Sequence, residues 1–275
     1  MRGDEVRRGA DVRSIHDMAG ESLLLGAGGR AILLQLADPA VGHGVAEHSD
    51  FVERPLARLH GTMTYLYAVV FGTPEESAAV RALVDRAHRR VRSGEGSPVA
   101  YDAVDPQLQL WVAATLYDSA IDLYERVHGA LTPAAADDVY RDYVVVGAAL
   151  QMPPELWPAD RAAFRRWWDE RLAGLAVDEV TREVAHQLLH PRAVPWTLRA
   201  AMPLARLVTA GLLPAPVRVA FGLPWGPARE RIFAGVVGLC RVVVPRLPRR
   251  LRHVLRDHYL RRLRRYLAES DHGRA

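Results

Sequence analysis

Two residue types narrow the chemistry open to this chain. A single cysteine, Cys240, allows no intramolecular disulfide and no thiolate zinc or iron–sulfur cluster, each of which needs several thiols. All 36 basic residues are arginine, so Schiff-base chemistry and a lysine ligand are both ruled out. A metal here must be held by histidine, carboxylate or a porphyrin. Among the 11 histidines, His88 has the most informative surroundings. On a helical wheel Val80, Leu83, Val84, Ala87 and Val91 form an apolar stripe, with His88 at its edge and Arg81 and Arg92 on the same flank. An imidazole facing a cavity with arginines near its mouth suits haem, whose iron takes an axial imidazole and whose propionates take arginine. A satisfied histidine at an ordinary helix interface fits the same pattern.

The preceding helical stretch adds Arg58, Gly61, Thr62 and Tyr65, which share one face by their three- and four-residue spacing. A glycine inside a helix costs about 1 kcal/mol relative to alanine, so Gly61 leaves room either for a flat cofactor or for a neighbouring helix. Two further patterns imitate known sites. His186 and His190 have the i,i+4 spacing of a metal pair, but Gln187 stands where a zincin needs glutamate, and the pair lies at a helix end before Pro191. Gly26, Gly28 and Ala31 imitate a dinucleotide fingerprint. No strand precedes or follows them, so a glycine-rich approach to a buried helix is expected instead.

The elements that must position these residues read as helices throughout. Gly28–Ala37 is one, running into Asp38-Pro39 and a His/Gly-rich loop; Arg54–Phe71 is a second, ending at Gly72. Thr73-Pro74-Glu75-Glu76 is a helix start, with the helix expected to reach about Val91. Asp105-Pro106, Thr132-Pro133 and Asp160 open three more, the first reaching about His128 and the last carrying Trp167 and Trp168. After Pro191 frequent prolines predict short, broken helices. No segment alternates with period two, and no internal repeat is present, so the fold class is all-α.

With 49% hydrophobic and 25% charged residues, the composition is that of one globular domain. The division expected is a polar N-terminal segment over 1–19, a helical domain over 20–266 and a tail over 267–275. The polar start and the short apolar runs, such as Ile232–Cys240, predict a cytoplasmic protein. Ten arginines and one aspartate between Arg241 and Tyr266 give that stretch +9 in a chain of +4. Such a helix can touch anionic lipid or nucleic acid. It can equally be a solvated helix docked through Leu251, Val254, Leu255, Leu260 and Leu263, and no nucleic-acid partner is expected.

Taken in order, several segments resemble one family. They are Gln35-Leu-Ala-Asp-Pro39, Gly44-Val-Ala-Glu-His-Ser-Asp-Phe51, Arg54-Pro-Leu-Ala-Arg58 followed by Thr62, His88-x-x-Val91, Tyr101-x-Ala-x-Asp-Pro106 and Trp111-Val-x-Ala-Thr115. Gly211-Leu-Leu-Pro214 and Phe221-Gly-Leu-Pro-Trp225 extend the likeness, so it spans about residues 20 to 265. Together they resemble the MpaB-type oxygenases, relatives of the bacterial latex-clearing protein. The resemblance implies a helical domain with a globin-like core and additional peripheral helices, holding haem b. It implies oxidation of an apolar small molecule (terpenoid, alkene or aromatic) by O₂ or peroxide, including cleavage of a carbon–carbon double bond. His88 then corresponds to the proximal iron ligand, and Arg58 and Thr62 to the distal-side motif. Arg58 is placed to stabilise the oxidant or a propionate, and Arg92 to hold a propionate. The motif's lysine is replaced by Gly61, and Asp38, Ala113 and Asp142 also depart from the family pattern. These departures keep open an alternative: a non-catalytic haem or small-ligand binding protein of the same fold.

Overall fold

A computed structural model describes residues 12–48 and 55–272. Residues 49–54 carry Arg54 and the end of the Gly44–Phe51 motif, and these lie outside the described residues, as do 1–11 and 273–275. The described chain is all-α and forms a single domain. Its one departure from helix and loop is an isolated antiparallel bridge between Arg92 and Asp102.

Helices α1 (Ile15–Ala19), α2 (Gly28–Leu36), α3 (Pro39–His48), α4 (Pro55–Phe71) and α5 (Pro74–His88) precede the long central α6 (Pro106–His128). After it come α7 (Pro133–Ala148), α8 (Arg161–Ala173), α9 (Glu179–Leu189), α10 (Trp196–Leu212), α11 (Ala215–Ala220), α12 (Pro227–Val243), α13 (Arg249–Arg252) and α14 (Val254–His272). The helical region thus begins before residue 20, with Ile15 and Met18 buried in the core, and continues beyond 266.

Local chemistry accounts for most helix starts. Thr73 and Glu76 close a reciprocal capping box on α5, and Asp105, Thr132 and Asp160 each accept a backbone N–H at the start of α6, α7 and α8. The segment after Asp38-Pro39 is not the His/Gly-rich loop expected. Asp38 accepts the Val41 N–H at 3.1 Å and Pro39 takes the first helical position, so the segment folds as α3. The proline-rich region is likewise less broken than expected, since Pro203 lies inside the 17-residue α10.

The core gathers around α6. Trp111 is fully buried and stacks on Trp168, with ring centroids 5.2 Å apart, while Tyr117 meets Tyr140, Tyr143, Trp157 and Phe164 edge-on. Beside this cluster Arg30 of α2 is buried with its charge matched. Its Nη2 lies 2.5 Å from Asp118 Oδ2, and it donates to Ser119 Oγ and the Leu212 carbonyl, each at 2.9 Å. Gly29 explains the glycine-rich approach to α2: a Cβ there would collide with the Thr209 side chain of α10. The basic C-terminal helix α14 docks through Leu260 and Leu263, which are buried, and through the partly buried Leu255. Leu251 and Val254, expected in the same seam, are instead exposed.

Candidate functional site

Helix α5 stops at His88, three residues short of the expected Val91, because the chain turns into a short antiparallel pairing. Ser93 N donates to the Tyr101 carbonyl at 2.8 Å, and Ala103 N donates to the Val91 carbonyl at 2.9 Å. The expected stripe changes accordingly: Val80 is buried, but Leu83 is 40% exposed and Ala87 is exposed. The pairing is clamped to α3. Tyr101 Oη donates to Glu47 at 2.6 Å, His48 Nε2 lies 3.0 Å from the Arg92 carbonyl, and the rings of His48 and Tyr101 meet edge-on.

Behind this clamp lies a cavity of about 210 Å³. Val41, Val45 and His48 of α3, Arg58 and Tyr65 of α4, and His88 of α5 line it. Val91, Tyr101 and Ala103 come from the paired segment, Gln109, Val112, Ala113 and Leu116 from α6, and Val146, Gly147 and Leu150 from the end of α7. Most of this surface is apolar, and its polar groups are few and placed.

His88 is the most unusual of them. Its Nδ1 is sealed from solvent without a hydrogen-bond partner. Burial, and secondarily the positive charge of Arg58, push its pKa below the ordinary imidazole value against the opposing pull of Asp85. The ring is therefore neutral near pH 7, the form that ligates a metal. No carbonyl or carboxylate among the described residues accepts a hydrogen bond from Nδ1 to orient the ring. Asp85 is otherwise occupied: it pairs with Arg89 at 2.9 Å and accepts from Gln151 Nε2. Gln151 in turn accepts from Gln109 at 2.5 Å, so a polar chain ties α5, α6 and the end of α7 beneath the site.

Arg58 retains exposed surface as a residue, yet protein surrounds its guanidinium closely enough that burial holds its pKa down to about 10. Tyr65 turns its hydroxyl away from open chemistry and donates to the Val146 carbonyl at 2.5 Å. Among the other expected site residues, Thr62 and Gly61 do not line the cavity, and a Cβ at Gly61 would meet nothing within 4 Å. Arg92 is exposed outside the lining, where its Nη2 donates to the Arg89 carbonyl at 3.1 Å. The structure therefore joins His88 and Arg58 and leaves Thr62 and Arg92 peripheral.

Three of the noted departures have structural explanations. Asp38 caps α3 and pairs with Arg171 at 2.6 Å; Asp142 accepts the Ile15 N–H at 3.1 Å; Ala113 sits in the cavity wall against Gly147. His186 and His190 stack at 4.3 Å on the surface, and no cluster of three or more potential ligands occurs among the described residues. Tyr101, Gln109 and Gly147 were not foreseeable as cavity residues. Each lies outside the helices that carry His88 and Arg58, and only the packing of the chain brings it to them.

The comparison with known families bears directly on this arrangement. A family described as "ER-bound oxygenase mpaB/B'/Rubber oxygenase, catalytic domain" matches residues 15–242. The chain belongs to this mpaB/rubber oxygenase family. The match embraces every element that lines the cavity and ends within α12. Uncharacterised proteins of Mycobacterium bovis and Mycobacterium tuberculosis are each 40% identical over 224 residues, covering 80% of this chain and 88% of theirs. No solved structure matches the chain. Family membership makes the domain that of an oxygenase, whose substrates are O₂ and an organic molecule.

Proposed function

We propose that this protein is a haem b-dependent oxygenase of an apolar small molecule, with His88 as the iron ligand. The observation that carries this reading is the neutral His88 ring with its buried, unpartnered Nδ1, set beside Arg58 in an apolar cavity. The donor set fits haem: His88 has its ring in the ligating form, His48 is held on the Arg92 carbonyl, Arg58 adds a cation, and no carboxylate occurs in the lining among the described residues. The space fits less well. At about 210 Å³ the cavity is smaller than a porphyrin, so seating one requires its walls to part.

When bound, haem supplies the oxidising power, with O₂ or peroxide as the oxidant. The rest is the work of this chain. His88 holds the group from the end of α5, and burial keeps its ring deprotonated. Arg58 supplies positive charge at the cavity, where a low-dielectric setting strengthens it. Val41, Val45, Val112 and Leu116 exclude water and orient an apolar substrate. Thr62, one turn from Arg58 on α4, and Arg92, at the outer edge, lie outside the lining, so the distal and propionate roles expected of them require the enlarged cavity that haem would need.

The cavity's volume also favours a second reading, a binder of a small apolar ligand without haem. Titration of the purified chain with haemin separates the two. The oxygenase reading expects a Soret band that is lost in His88→Ala and restored by added imidazole. A chain that takes up no haem, or whose spectrum is unchanged in His88→Ala, refutes the assignment. O₂ consumption with terpenoid or aromatic candidates then separates an oxygenase from a haem carrier.

A further inference from the structure

Helix α12 is apolar on two sides, and only one of them is covered. Phe233 is buried, and Val236, Val237 and Cys240 are partly buried with it against Leu123 and Val127 of α6 and Leu207 of α10. On the neighbouring side Ile232, Leu239 and Val242 follow one another at seven and three residues, which puts them on one helical face. They are 57%, 64% and 55% exposed. The exposure continues past the helix end at Leu247 and Leu251. A contiguous exposed apolar patch with a polar rim marks an interaction surface.

The rim is predominantly positive, with the Asp17 carboxylate 3.9 Å from Arg249. Arg229, Arg231, Arg241, Arg246, Arg249 and Arg250 are all exposed. Glu230 is the single acid in residues 226–251, and it accepts from Trp225 Nε1 at 2.6 Å. We propose that this face docks on an anionic lipid surface, with Ile232, Leu239 and Val242 in the acyl–headgroup boundary and the arginines against the headgroups. The charge argues against a second copy of the chain, because two-fold pairing of α12 with itself sets arginine against arginine. The contact is peripheral, since no helix among the described residues is long and apolar enough to cross a membrane. It also differs from the contact expected at the basic C-terminal helix: α14 buries Tyr259, Leu260 and Leu263, and Arg264 pairs with Glu76 at 2.6 Å. The inference does not depend on haem binding.

Co-sedimentation of the full chain with vesicles tests it. One set is phosphatidylcholine alone; the other is equal parts phosphatidylcholine and phosphatidylglycerol. Binding to the anionic vesicles is expected, with little to the neutral ones, and it weakens as salt is raised. Ile232→Glu with Leu239→Glu lowers it by about tenfold or more, and so does Arg231→Gln with Arg246→Gln, with circular dichroism and thermal unfolding unchanged. No binding to anionic vesicles at low salt overturns the proposal, as does equal binding to both sets or wild-type binding by well-folded variants. A concentration-dependent dimer that Ile232→Glu with Leu239→Glu abolishes, without vesicle binding, assigns the face to a second copy instead.

Discussion

Replacing Asp118 with alanine removes the only carboxylate paired with Arg30 among the described residues, at a place largely withdrawn from water. The two side chains are 7% and 8% exposed, and Nη2 lies 2.5 Å from Oδ2. In the variant the guanidinium keeps Ser119 Oγ and the Leu212 carbonyl, both neutral acceptors, and its charge stays buried without a counter-charge. Breaking such a pair from one side costs roughly 3–5 kcal/mol. The second partner of Asp118, Arg165, lies 3.5 Å away on a side chain that is 61% exposed, so its loss adds little. A cost of this size is a large share of the roughly 5–15 kcal/mol that holds a domain together. At about 2–4 °C per kcal/mol for chains near this length, it lowers the Tm by roughly 6–20 °C. Urea unfolding of Asp118→Ala, Arg30→Met and the double variant measures it as a cycle. The double variant should recover most of the loss, because no buried charge remains. An Asp118→Ala midpoint matching wild type, or a double variant weaker than either single one, refutes the argument that this junction is governed by charge burial.

Other outcomes follow from the same structure. Gly29→Ala drives a Cβ into Thr209 and should cost about 1–3 kcal/mol, a loss that Thr209→Ala relieves; purely additive effects in chemical denaturation would show that the two helices yield there. Ala113→Leu extends a buried side chain into the cavity and should weaken ligand uptake about tenfold in a titration while far-UV circular dichroism is retained; undiminished uptake would place the ligand elsewhere. Burial tends to raise the Asp178 pKa, but hydrogen bonds from Thr181 and His43 outweigh it and bring the carboxyl from 3.8 down to about 2. Its stabilising contribution is therefore fully present above 3.8 and is lost as pH falls toward 2. Asp178→Asn, which keeps the helix cap, should flatten that part of the stability–pH curve; an unchanged acid slope would remove Asp178 from the account.

Helix starts were legible in the sequence because their signals are local. Thr73-Pro74, Asp105-Pro106, Thr132-Pro133 and Asp160 each carry cap and first turn within four residues, and each opens a helix. Helix α3 was missed because its cap, Asp38, was read with Pro39 as a stop for the preceding helix. The pair serves both purposes, ending one helix and capping the next. His88 was legible as a residue at a border, but its stripe was not. Leu83 is exposed because α5 buries only a narrow line through Glu76 and Val80. The cavity itself could not be read in advance. Its far wall comes from Gln109, Ala113 and Gly147, whose meeting with α3 and α5 is set by how α6 and α7 cross. A helical wheel sees one helix at a time.

The sealed Nδ1 of His88 has a consequence for how long the protein survives. A buried polar atom without a partner costs roughly 1–3 kcal/mol, so any group that gives the ring a partner stabilises the fold by up to that amount. An occupant that draws the imidazole into a bonded arrangement removes the cost and adds its own binding free energy to the folded state alone. Chains that bind it open less often, and proteases that act on opened chains would spare them. Cellular abundance would follow the supply of that occupant, so that a shortage first shows as missing protein and only afterwards as idle protein.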